Sequence, residues 1–169
     1  MPLDIDPARL ALVVGWTILM AVLGTVLAGN AVRTWYPTLA KGRIEIPIGL
    51  FAVVGLACYV FEAIVGYRLL ERLESSPTAG LVLFALVVVM VYNELWNAAL
   101  FRLRSPFAAL IALLGFLAPL AILVVGCALV DTPSLVLVGV YAVWVIGYDV
   151  PWIHGLWRAN APTGESPVT

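Results

Sequence analysis

Five long apolar runs constrain this chain more than any other feature of its sequence. Each run is longer than twenty residues, and only short polar stretches separate them. A membrane-spanning helix needs about 20 apolar residues, so each run is long enough to cross a bilayer. We therefore predict an all-α integral membrane protein, a five-transmembrane-helix bundle with spans at about 10–32, 46–70, 79–101, 106–130 and 134–157.

The composition excludes a soluble domain. Hydrophobic residues make up 63% of the 169 residues and charged residues 11%, against about 25% charged residues in an ordinary soluble domain. A transmembrane β-barrel would need alternating segments of about ten residues, which these runs are not. We expect a single membrane domain over 1–169, with 158–169 as a flexible polar tail.

The charges indicate the surroundings and the orientation of the chain. The net charge is −1 with no basic tract, which argues against a nucleic-acid partner and leaves the lipid bilayer. Because cytoplasmic loops carry more Lys and Arg, we predict the N-terminus outside and the C-terminus in the cytoplasm. The Arg-rich, Lys-poor composition favours a bacterial cytoplasmic (inner) membrane. The basic residues divide as Arg33, Lys41, Arg43, Arg102, Arg104 and Arg158 on the cytoplasmic side and Arg9, Arg68 and Arg72 on the other.

Four ionisable residues lie inside the predicted spans: Glu62, Glu94, Asp149 and His154. Placing such a side chain in the bilayer costs at least ~2.5–3.5 kcal/mol, so it usually faces the bundle interior or a cavity. Tyr59 and Glu62 are three residues apart and share a helix face. The Glu62 carboxyl is either a binding or proton-accepting group in a pocket or a carboxyl bonded to a neighbouring helix.

Polar and aromatic side chains also share helix faces in two spans. Asn93, Trp96 and Asn97 lie on one face of the third span, where an amide beside an indole would suit a planar ligand with a polar edge. The alternative is that these amides only bond across packed helices. In the fifth span, Tyr141 belongs to an aromatic stripe and Trp144 lies beside it; such stripes are more often packing surfaces.

Three classes of function remain open at this point. The first is a binding, transport or sensing protein for a flat, mostly apolar ligand. The second is an intramembrane isomerase or hydrolase of an isoprenoid or sterol-like lipid that uses Glu62, Glu94 or Asp149 as acid or base. The third is a structural or regulatory subunit. No short catalytic motif supports the second class.

Several motifs together resemble the TspO/MBR family, the tryptophan-rich sensory or translocator proteins, also called peripheral benzodiazepine receptors. The resemblance covers about 35–160 and agrees with the chain length and the long first loop. It rests on Trp35-Tyr36, Leu39, Lys41, Pro47, Phe51, Val54 and Tyr59, on Asn93 and Trp96 in the third span, on Tyr141 and Trp144 in the fifth, and on Trp157 and Asn160 near its end.

The sequence departs from the family pattern at several of these motifs. Gly55 stands where the second span of the family has Trp, and Ile44 replaces a loop Trp. Pro151-Trp152 stands where the family has a Leu-Asn pair. The chain therefore resembles a divergent member of the family.

The resemblance implies a five-helix bundle, often a homodimer, with a ligand pocket that is open toward the cytoplasmic side beneath the first loop. It implies a hydrophobic ligand, most of all porphyrin or haem, with sterols and benzodiazepine-type drugs as further classes. Porphyrin or haem is expected here as a ligand and not as a cofactor, and we assign no catalytic residue and no metal ligand. The candidate ligand-binding residues, from the motifs and from the helix faces, are Asn93, Trp96, Tyr141, Trp144, Trp35, Glu62, Tyr59 and Asp149.

Overall fold

The computed structural model describes residues 5–161 and contains five helices long and apolar enough to cross a membrane. They are α1 (Pro7–Ala28), α2 (Ile48–Arg72), α3 (Pro77–Arg102), α4 (Pro106–Val130) and α5 (Thr132–Asn160). The predicted all-α membrane bundle is confirmed.

The ends of two helices differ from the predicted spans. The run predicted for 10–32 is not one helix, because Gly29 adopts a positive φ of 54° and ends α1 at Ala28. This left-handed conformation is one that glycine tolerates best. A separate short helix, Ala31–Thr34, follows.

The last helix extends into the stretch that we expected to be a flexible tail. It ends at Asn160, whose side-chain amide donates to the carbonyl oxygens of Leu156 at 2.8 Å and Ala40 at 2.8 Å. These hydrogen bonds hold the end of the helix, and 158–160 are helical. The remainder of the predicted tail, from 162 onwards, lies outside the described residues.

Two helices contain a π-helical segment, Ala98–Arg102 in α3 and Val145–Asp149 in α5. The second ends just before Pro151, which has no N–H and whose ring would clash with the carbonyl four residues earlier in a regular helix. A wider turn before a proline relieves that clash. It also changes the direction in which the following side chains point.

The core lies along α3 and α4, which share the most extensive helix contact of the described bundle. On α4, Leu113, Phe116 and Leu123 are completely or almost completely buried, and Val89 faces them from α3. Apolar side chains such as Val143 on α5 point outward, as lipid contact allows. The helices thus form a packed bundle with an apolar outer surface.

At the end of the bundle away from the first loop, one buried carboxylate joins α2 to the start of α5. Asp131 accepts two hydrogen bonds from Arg68, at 2.7 and 3.0 Å, and one from Arg72 at 3.0 Å. It also accepts from the backbone N–H and the hydroxyl of Ser134, and Asp131 thereby caps the start of α5. All its hydrogen-bonding capacity is therefore used.

Replacing Asp131 by Asn should destabilise the bundle, because the amide offers the arginines a donor in place of an acceptor. We expect a loss of about 1.5–3 kcal/mol, the range for hydrogen bonds to charged groups. Glu74→Gln is the matched control, since the side chain of Glu74 is 84% exposed in its pair with Arg9 and such pairs contribute little. The melting temperatures of both variants are measured in detergent by circular dichroism. If Asp131→Asn melts at the same temperature as Glu74→Gln, this role for Asp131 is contradicted.

The same carboxylate predicts the sign of the pH dependence. Hydrogen bonds from Arg68 and Ser134 hold the pKa of Asp131 well below its usual range. Its stabilising contribution is therefore complete above the unfolded-state pKa of about 3.9 and is lost as the pH falls below that value. The difference in unfolding free energy between the wild type and Asp131→Asn should narrow on acidification below about pH 4. A difference that stays constant from pH 7 to pH 3 would exclude this linkage.

Candidate functional site

The first loop is attached to the second half of α5 by hydrogen bonds. The backbone N–H of Ala40 donates to Asn160 Oδ1 at 3.0 Å, and the N–H of Ile46 donates to Tyr148 Oη at 3.1 Å. Between these contacts the backbones of Gly42 and Gly155 approach closely, and a Cβ added to Gly42 would lie 3.3 Å from the Gly155 carbonyl carbon. The loop therefore lies as a fixed cover over one end of the bundle.

A polar cluster inside the loop holds its shape. Lys41 Nζ donates to the carbonyl oxygen of Tyr36 at 2.7 Å and lies 3.2 Å from the centre of the Tyr36 ring. Tyr36 Oη donates to Glu45 Oε1 at 3.1 Å. Burial raises the pKa of Tyr36, and Glu45 raises it further, so the hydroxyl remains a donor at neutral pH.

An aromatic cluster lies directly beneath the loop. Trp152 is at its centre, with ring centres 5.0 Å from Phe51 on α2, 6.2 Å from Trp96 on α3 and 6.2 Å from Tyr36 in the loop. It also stacks on Tyr148 at 5.9 Å. In the sequence, Trp152 stands out as part of a departure from the family pattern, and it is not among the candidate site residues; its contacts with three other chain segments depend on the fold.

Next to this cluster is a cavity of about 360 Å³ between α1, α2, α3 and α5. Its rim includes exposed residues of α1 and α2, among them Thr25, Ala52 and Leu56. The cavity therefore opens sideways, between α1 and α2, towards the bilayer. Six of the eight candidate residues line it: Asn93, Trp96, Tyr141, Trp144, Tyr59 and Asp149.

Hydrogen bonds connect four of the lining residues through one amide. Asn93 Oδ1 accepts from Trp96 Nε1 at 3.3 Å and from Tyr141 Oη at 3.2 Å. Asn93 Nδ2 donates to Glu94 Oε1 at 3.4 Å, and the same oxygen accepts from Tyr59 Oη at 2.6 Å. Asn93 on α3 is thus bonded directly to α5 and, through Glu94, to α2. The sequence left open whether this amide bonds helices together or lines a cavity, and in the structure it does both.

Glu94 fits against α1 because that helix has glycine at the point of contact. A Cβ added to Gly24 would overlap Glu94 Oε2 and lie 3.1 Å from Tyr59 Oη. Glu94 is almost completely buried, with Oε2 lacking a hydrogen-bond partner among the described residues. The carboxyl is therefore packed between helices and not displayed to the cavity.

Asp149 is the carboxyl that lines the cavity. It is 6% exposed, it is the last residue of the π-helical segment of α5, and its Oδ1 has no hydrogen-bond partner in the described part of the chain. Trp144, directly before this segment, packs on Tyr148 with ring centres 4.5 Å apart. An acceptor and an indole thus lie together on the α5 wall.

The structure places the other two candidate residues elsewhere. Glu62 points away from this cavity and lines a second pocket between α1, α2 and α3. Trp35 is half-buried against the core and is not among the residues that line the cavity. Its sequence neighbour Tyr36 is the buried member of that pair. Of residues 5–161, no group of three or more His, Cys, Asp or Glu is positioned to hold a metal ion.

A comparison with models of known protein families shows to which family the chain belongs. The sequence model of the TspO/MBR family matches residues 10–149, which is most of the chain. The chain belongs to the TspO/MBR family. It is therefore an integral membrane protein of a ligand-binding or sensing family. A search of curated proteins gave no match.

One departure from the TspO/MBR pattern lies in the cavity wall. Gly55 lines the cavity, and nothing lies within 4 Å of a Cβ added there. An indole at this position, as the family pattern has it, would extend into the space around the rim. Its absence leaves the side between α1 and α2 open.

Gly24→Ala should destabilise the site, because its methyl group would displace the buried Glu94 carboxyl. We expect a loss of about 1–3 kcal/mol, as for other overpacked cores. Gly15→Ala is the matched control on the same helix, since a Cβ there meets nothing within 4 Å and alanine is the better helix former. The double variant Gly24→Ala/Glu94→Ala should lose less unfolding free energy than the sum of the losses in the two single variants, because the added methyl group then has no carboxyl to displace. The melting temperature of each variant is measured by circular dichroism in detergent. If Gly24→Ala and Gly15→Ala have the same melting temperature, the contact of Gly24 with Glu94 does not contribute to stability.

Proposed function

We propose that the cavity binds a flat hydrophobic ligand, with porphyrin or haem as the first class to test, and that this binding serves transport or sensing. The observation that carries the proposal is that aromatic rings from α3 and α5 and a fixed amide network line one cavity. Trp96 and Trp144 provide flat apolar surface, and Asn93 fixes the surrounding side chains. A mostly apolar concave site with a few polar groups is typical of small-molecule binding.

The polar groups favour a planar ligand that carries N–H or O–H donors. Asp149 offers an unpartnered oxygen, and Asn97 lies on the same wall as Trp96. The pyrrole N–H groups of a free-base porphyrin would match such an acceptor. The sideways opening allows a ligand larger than the enclosed volume to remain partly in the bilayer.

Acid–base catalysis on an isoprenoid or sterol-like lipid receives less support from the same geometry. A general acid or base must lie within hydrogen-bond reach of the reacting group, and of the three carboxyls only Asp149 lines the cavity. Glu94 is bonded to Tyr59 and Asn93, and Glu62 lines another pocket. We therefore favour binding over catalysis.

The proposal includes a homodimer in a bacterial cytoplasmic membrane, with the N-terminus outside. The family resemblance supports the dimer, and the distribution of Lys and Arg supports the orientation. With this orientation the first loop, which covers the cavity, lies on the cytoplasmic side.

Titration with protoporphyrin IX in nanodiscs tests the binding proposal. The Soret absorbance band reports binding independently of the number of tryptophans. We expect saturable binding, weakened about tenfold, or ~1.4 kcal/mol, by Trp144→Ala and by Asn93→Ala. The first loses an aromatic surface, and the second leaves Trp96 Nε1 and Tyr141 Oη without their acceptor.

Trp157→Ala is the control, because Trp157 packs on Phe107 and His154 outside the cavity. Its affinity should match that of the wild type. Unchanged affinity in Trp144→Ala and Asn93→Ala would remove these residues from the site. If the wild type itself shows no saturable binding, porphyrin is rejected and sterols become the next class to test.

A further inference from the structure

A second pocket, of about 210 Å³, lies between α1, α2 and α3. It shares no lining residue with the first cavity. Its wall is almost entirely apolar, with Val13, Leu83 and Leu86 among the lining residues, and Leu12 at its edge is exposed towards the bilayer. The pocket is therefore separate from the first cavity and is accessible from the membrane side.

Three polar side chains interrupt this apolar wall: Trp16 and Thr17 on α1 and Glu62 on α2. Glu62 is 4% exposed, and neither of its carboxyl oxygens has a hydrogen-bond partner among the described residues. In the same part of the chain, Thr17 Oγ1 and Trp16 Nε1 are buried and also lack partners. Buried polar groups are normally hydrogen-bonded, so this concentration of unpartnered atoms at one pocket requires an explanation.

No cationic side chain in the described bundle pairs with Glu62. The arginines nearest to that end of the bundle are engaged elsewhere, Arg9 with Asp6 and Glu74, and Arg68 and Arg72 with Asp131. An ionised carboxylate without a partner is costly to bury, and ionisable groups inside a membrane almost always pair. A positive charge brought by a ligand would provide the missing partner.

We propose that this pocket is a second ligand site, which takes small lipophilic primary amines from the bilayer. The carboxylate of Glu62 and the hydroxyl of Thr17 match a protonated amine on an apolar body. An ammonium group has three donors and no acceptor, and the pocket offers three unpartnered acceptor atoms, two on Glu62 and one on Thr17. Trp16 lines the same pocket and adds apolar indole surface to it.

An alcohol of the same shape fits the pocket less well. Its hydroxyl has one donor and could satisfy only one of the acceptors, and it brings no charge to pair with Glu62. The pocket should therefore discriminate between an amine and an alcohol on the same apolar body. A pocket that binds ligands only through apolar contacts would bind the amine and the alcohol equally well.

The probes are 1-adamantylamine and 1-adamantanol, which share one rigid cage and differ in the amine and hydroxyl groups. Binding to the full chain in nanodiscs is measured by isothermal titration calorimetry, with empty nanodiscs as the blank for partition into lipid. We expect the amine to bind at least tenfold more tightly than the alcohol. The variant Glu62→Gln, which keeps the shape and removes the charge, should lose at least tenfold in amine affinity.

Thr17→Val is a second, independent variant, which removes one acceptor and should weaken amine binding several-fold. Thr25→Val is its matched control on α1, because Thr25 lies at the first cavity, where its hydroxyl donates to the carbonyl oxygen of Ala21. Thr25→Val should bind the amine as the wild type does. These comparisons remain available if Glu62→Gln does not fold.

The proposal is overturned if amine and alcohol bind equally well, if neither binds saturably, or if folded Glu62→Gln retains the wild-type affinity for the amine. Protoporphyrin titration of Glu62→Gln separates the two sites. Because Glu62 does not line the first cavity, that binding should be unchanged. If the wild type binds protoporphyrin IX but not the amine, only the proposal of the second site is rejected.

Discussion

The hydrocarbon core of a bilayer offers no hydrogen-bond partner, and this constraint determines both the helices and the placement of the polar side chains between them. Helices satisfy every backbone group within the segment. The remaining polar groups must then find each other across helices. In this chain Asn93 on α3 accepts from Tyr141 on α5 and donates to its neighbour Glu94. Glu94 in turn accepts from Tyr59 on α2, so the network joins three helices.

Small residues and irregular turns make the room that this network needs. Gly24 on α1 leaves space for the Glu94 carboxyl, which the overlap of an added Cβ shows directly. The π-helical segment before Pro151 ends at Asp149, which lines the cavity. Trp152 follows it and packs against Phe51 and Trp96. The cavity is thus bounded by features that a regular, closely packed helix pair would not provide.

The sequence predicts the membrane bundle well, because five apolar runs have no other stable fold in water or lipid. It also predicts the cavity face of α3, since Asn93 and Trp96 are three residues apart and a regular helix brings such residues together. It does not predict that Gly24 meets Glu94, because that contact joins distant parts of the chain. The sequence also does not distinguish Trp35 from Tyr36, because adjacent residues point in different directions and only the fold shows that Tyr36 is the buried one.

The departures from the TspO/MBR pattern change where the aromatic surface of the site lies. The second span lacks the family Trp at Gly55, which leaves the side between α1 and α2 open. On the opposite side, α5 contributes Trp152, whose ring packs against Phe51 and Trp96 beneath the first loop. The loop end is therefore closed by aromatic packing and by hydrogen bonds to α5, while the membrane side is open. A hydrophobic ligand that is already dissolved in the bilayer would meet the open side first, so this geometry favours loading from the membrane over loading through the loop.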